Sequence, residues 1–131
     1  MSIPVTLDRL RDEIAGFAST ATYLLTVSDD GRPHSVAVSP EWRGDELVMA
    51  AGNRSVSNAA ARPSVSLVWA PGELGGYSLI VDATVTDTVA TGTGDNTVTV
   101  QPTSAVLHRP AASPDATRPG CTSDCVPILR I

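Results

Sequence analysis

The sequence predicts a mainly β domain with short helices, a small antiparallel barrel of six strands. Three observations predict it. The 131-residue chain holds fifteen valines and fourteen threonines, β-branched residues that suit a pleated, half-buried surface. Short runs of alternating polarity are separated by Asp-, Gly- and Pro-bearing turns, the punctuation of hairpins. Helical character is confined to two short stretches, residues 6–18 and about 55–62.

In the first helix Thr6 is the expected N-cap, and Leu7, Leu10, Ile14 and Phe17 recur at helical spacing. Residues 22–28 read as the first strand. Asp29-Asp30-Gly31-Arg32-Pro33 reads as a tight turn, because an Asp-Gly pair supplies the positive φ that such turns need. Residues 34–39 return as the second strand, with Val36 and Val38 on one face. After the turn Arg43-Gly44-Asp45 the third strand covers 46–51. The alanine-rich stretch that follows stops at Pro63 and reads as the short helix. A fourth strand covers 64–69 and a fifth, the longest alternating run, covers 77–88. A Thr/Gly/Asp loop leads to the sixth, 97–109, which is expected to bend at Pro102. Residues 1–109 form the expected domain. Residues 110–131 are rich in Pro, Ala, Ser and Gly, carry no apolar period, and are expected to be a dispensable tail.

Composition excludes several classes. Nine arginines, no lysine and fourteen acids give a formal charge of −5, whereas binding to nucleic-acid phosphates needs clustered cations. No apolar run approaches the roughly 20 residues that span a bilayer. Met1-Ser2-Ile3-Pro4 lacks the layout of a secretory signal, so the expectation is cytoplasmic. Cys121 and Cys125 sit in the tail. Zinc, a redox-labile disulfide and free thiols are all open to such a pair. One pair falls short of a four-ligand zinc site within a chain, and a reducing compartment favours free thiols, so no metal is expected.

The order of these elements resembles the FMN-binding split-barrel superfamily of pyridoxamine 5′-phosphate oxidase and its flavin- and deazaflavin-dependent relatives. Four segments carry the likeness: the hairpin at 25–34, the strand at 47–51, the stretch from Arg54 to Asn58 running into 63–68, and the strand at 77–87. In its shortness and in the segment Pro33-His34-Ser35-Val36-Ala37-Val38 it is most similar to the short actinobacterial members. The resemblance implies a six-stranded split β-barrel that is homodimeric, with two equivalent sites for FMN, or alternatively the deazaflavin F420, at the subunit interface. It implies an oxidoreductase transferring hydride between that cofactor and a small organic substrate. A non-catalytic carrier or sensor of a flavin, haem or other planar ligand is the alternative, and an empty barrel acting as an interaction module a third.

Candidate cofactor-binding residues are Arg54, Ser55, Ser57, Asn58, His34 and Trp69. The segment Asn53 to Asn58 is the candidate phosphate cradle: a short helix here aims free N–H groups at an anion, with Arg54 as a bidentate cation and Ser55 and Ser57 as hydroxyl donors. Against this stands a plain reading, with Ser55 as an N-cap and Arg54 as a solvated charge. Many members of the superfamily carry a second basic residue three positions after the first; here Ser57 stands there. His34 begins the strand that the resemblance places beside the cofactor ring, or else caps an exposed hairpin end. Trp69 is expected at a pocket rim, or as a core or interface anchor. No nucleophile or acid–base group is assigned.

Overall fold

A computed structural model describes residues 1–111 of the chain. The tail expectations, including those for Cys121 and Cys125, lie outside the described residues. In chain order the elements are β1 (Ser2–Val5), α1 (Leu7–Ala15), β2 (Thr22–Val27), β3 (Pro33–Val38), β4 (Glu41–Arg43), β5 (Glu46–Ala50), α2 (Asn53–Ala61), β6 (Ser64–Trp69), β7 (Ser78–Val89) and β8 (Thr97–His108). The six expected strands are present, and two short ones, β1 and β4, join them in one eight-stranded antiparallel sheet. Both additions are local misreadings with a common cause. Four residues containing Pro4, and three before a turn, are too short to show alternation, and both become strands through long partners. β1 pairs with the second half of β8, and β4 folds back on β5.

The sheet runs β3-β2-β6-β7-β8-β5-β4. Its curl comes from β7 and β8, where two register shifts each leave one residue unpaired. Thr103 is the extra residue on β8 and Thr86 on β7, and each hydroxyl donates to the strand opposite, Thr103 to the Asp82 carbonyl at 3.1 Å and Thr86 to the Thr99 carbonyl at 3.4 Å. A bulge bends its strand and increases its twist, so the sheet wraps around its own inner face. Pro102 adjoins one bulge, opposite Ala83, where the sequence placed a bend.

The inner face is aliphatic. Leu24, Leu67 and Val81 stand side by side on β2, β6 and β7, each fully buried. Leu47, Met49, Val98 and Val100 close the far wall, while Val56 and Ala59 of α2 join the same core. Helix α1 sends in Leu10, with Ile14 and Phe17 packed against the core, but Leu7 remains 49% exposed. The helix stops at Ala15, short of the expected 18, because Gly16 caps it and tighter i→i+3 bonds from Phe17 and Ala18 take over. Thr6 holds the N-cap position without a capping bond from its side chain. No helix among the described residues is long and apolar enough to cross a membrane.

Candidate functional site

The β2–β3 turn and α2 face one another across a cleft of about 600 Å³. The turn supplies Ser28, Asp29, Asp30 and Arg32, and the helix supplies Asn53, Arg54, Ser57 and Asn58. Gly31, at φ 84°, allows the turn to close, with its N–H on the Ser28 carbonyl at 2.8 Å. The Asp30 carboxylate accepts from the Ser28 hydroxyl at 3.0 Å and from the Arg32 N–H at 3.1 Å. These bonds, the Arg32 N–H foremost, hold its pKa below the ordinary carboxylate value, with a smaller contribution from the Arg54 charge.

Helix α2 begins at Asn53, two residues before the expected start, after Gly52 in extended conformation. Its first ladder bond runs from the Val56 N–H to the Gly52 carbonyl. The N–H groups of Asn53, Arg54 and Ser55 therefore precede the ladder, at the positive end of the helix. The start is anchored by Asn96, whose side chain donates to Asn53 Oδ1 at 2.6 Å. Further along, Asn58 donates to the Thr26 hydroxyl at 3.1 Å, a buried bond tying α2 to β2. Arg62, just beyond the helix, donates to the Val27 carbonyl at 2.6 Å and pairs with Asp29 at 2.8 Å. The two walls of the cleft are thus fixed to each other at three points.

Removing the buried tie has a predictable effect. Asn58→Ala leaves the Thr26 hydroxyl, in a residue 2% exposed, without its partner. Urea denaturation should show a loss of about 1–3 kcal/mol; a loss under about 0.5 kcal/mol would mean that the Asn58–Thr26 bond does not hold the helix to the sheet.

Of the six candidate residues, the structure brings Arg54, Ser57 and Asn58 together on the cleft. Spaced i, i+3 and i+4, they share one helical face. Ser55 does not belong with them, which corrects the expected cradle. Two residues before Ser57, it lies about 200° around the helix; it is 1% exposed, and its Oγ has no hydrogen-bond partner. It is not the N-cap either, since Gly52 holds that position. His34 does not line the cleft; it is half-buried on β3, in register with Thr26. Trp69 is a core residue, 3% exposed, which also lines a separate groove of about 500 Å³ with Ile14, Phe17 and Val38, at the opposite end of β2. The sequence reading missed the turn wall. Asp29 and Asp30 look like ordinary turn residues, and nothing local marks Arg62, 33 residues along the chain, as the partner of Asp29. The cleft residues fit the phosphate end of a flavin nucleotide, offering guanidinium groups, hydroxyls and a helix start.

No family profile matches the chain. Two uncharacterised proteins, of Mycobacterium bovis and Mycobacterium tuberculosis, are each 42% identical over 118 residues, covering 79% of this chain and 82% of theirs. Among solved structures, an FMN-binding protein from Syntrophomonas wolfei superposes with TM-score 0.62 at 12% identity, over 81% of this chain and 88% of its own. A haem storage protein of Vibrio cholerae gives 0.57 at 18% identity, over 78% and 96%. An F420 reductase gives 0.55 at 20% identity, over 66% and 88%. These likenesses show the fold, which is the split barrel that the sequence resembles. Within that fold the chain belongs to one family with the two mycobacterial proteins.

Proposed function

We propose that the protein is a homodimeric, cytoplasmic flavin-binding split barrel that holds FMN by its phosphate in the cleft between the β2–β3 turn and α2, with F420 as the alternative cofactor. The observation that carries this reading is the grouping of Arg54, Ser57 and the open start of α2 on one cleft. Solved structures that share the fold include an FMN-binding protein and an F420 reductase, which supports a cofactor of this type. When bound, a flavin supplies the hydride chemistry, and the chain supplies position and charge. The substrate of such an oxidoreductase is a small organic molecule.

Purified protein should absorb in the flavin or deazaflavin region, or gain that absorbance on titration with FMN or F420. Arg54→Ala should weaken the binding by about 1.5–3 kcal/mol, the worth of a charge-assisted hydrogen bond. Titrations that leave Arg54→Ala unchanged with both cofactors would return Arg54 to a surface role. A second reading, a carrier or sensor of a flavin, haem or other planar ligand without turnover, is favoured by Ser57 standing where a second basic residue is common, and by the likeness to a haem storage protein. Reduction of the bound cofactor by NAD(P)H separates enzyme from carrier.

A further inference from the structure

The cleft contains more charge than an anion site would be expected to hold, and the arrangement of its partners decides what it can bind. Two acids, Asp29 and Asp30, stand on its turn wall. Asp29 is paired with Arg62 at 2.8 Å, and Asp30 accepts from Ser28 and from the Arg32 backbone. The guanidinium groups of Arg32 and Arg54 have neither ion pair nor hydrogen bond among the described residues. Counting Arg32, Arg54 and Arg62 against Asp29 and Asp30 leaves a net charge of +1 around the cleft. Without Arg32 the count is zero.

We propose that Arg32, reaching from the β2–β3 turn, is the second cation of the cofactor site, closing with Arg54 on a terminal phosphate monoester. This rests on the reading of the cleft as a cofactor-phosphate site and names a binding residue for it. The two guanidinium groups come from opposite walls, which the Asn58–Thr26 bond and the Arg62 contacts hold together. A phosphate monoester carries between one and two charges near neutral pH and three acceptor oxygens, enough for a bidentate donor on each side. Ser57, on the helix wall, leaves room for a cation from the turn, so the charge absent from α2 is restored from another element. Asp30 opposes the bound anion while its bonds to Ser28 and Arg32 shape the turn, so its charge and its geometry are separable.

The test is isothermal titration of the full-length protein with FMN and with riboflavin, which carries the same ring and no phosphate. The expected result is that FMN binds at least tenfold tighter than riboflavin. Arg32→Ala should weaken FMN at least tenfold and leave riboflavin unchanged, while Arg32→Lys keeps a measurable part of the difference. Asp30→Asn keeps an acceptor oxygen for both turn bonds and removes the negative charge, so FMN should tighten several-fold. If Arg32→Ala binds FMN as the parent does while FMN still outbinds riboflavin, the role of Arg32 is overturned and the phosphate cleft stands. If the parent protein binds FMN no better than riboflavin, the cleft reading itself fails, and this inference with it.

Discussion

Replacing Leu67 with alanine should remove about 2–5 kcal/mol of folding stability, the range seen when a large aliphatic side chain is deleted from a rigid core. Leu67 is fully buried on β6, directly beside Leu24 on one side and Val81 on the other, both also fully buried. All three belong to strands paired along their inner face, so neighbours cannot collapse into the space without breaking register. A slip of one residue would turn every inner side chain outward. Folded domains are stable by about 5–15 kcal/mol, so this one change takes a large share of the total. Leu74→Ala is the matched control, because Leu74 is wholly exposed on the loop before β7. Denaturant midpoints should fall for the first variant and stay within error for the second, with unchanged slopes. A Leu67→Ala loss below about 1 kcal/mol would mean that the inner row is not the core.

The hairpin β2–β3 and the long pair β7–β8 were legible because their signals are local. Asp30-Gly31 marks a turn, and Leu79, Val81 and Ala83 alternate cleanly before the bulge at Thr86. β1 and β4 were not legible, since a strand of three or four residues is defined by its partner, and partners are set by the curl of the sheet. The candidate site divides along the same line. Its helical wall follows from i, i+3, i+4 spacing once the helix start is known. Placing that start two residues late made Ser55 a cap or a ligand, whereas a start at Asn53 turns it into the barrel. The opposite wall depends on α2 docking against β2 through Asn58 and Arg62, contacts that no sequence period encodes.

A charge in the middle of the sheet's outer face should dissolve the proposed dimer. One register line crosses six strands on that side, through Pro4, Val106, Ile80, Val68, Tyr23 and Ala37. Each pair is directly opposite, and Tyr23 is left 41% exposed. At about 4.8 Å between strands the line is about 24 Å long, close to the breadth of a standard interface, about 800 Å² on each partner. A second copy of this chain suits such a strip, because a two-fold interface is self-complementary. So small a domain also leaves much of its apolar surface uncovered. Ile80 stands near the middle of the line and is half-buried in the single chain. In an isologous contact Ile80→Asp introduces two charges at once, and each desolvated charge without a partner costs several kcal/mol. Light scattering at micromolar concentration should give twice 13.6 kDa for the parent protein and 13.6 kDa for Ile80→Asp, with the β-sheet circular dichroism of the variant retained. Because the superfamily resemblance places the cofactor sites at the subunit interface, the monomeric variant should also bind FMN more weakly. A parent protein already at 13.6 kDa, or an Ile80→Asp variant still at twice that mass, would remove this face from any role in assembly.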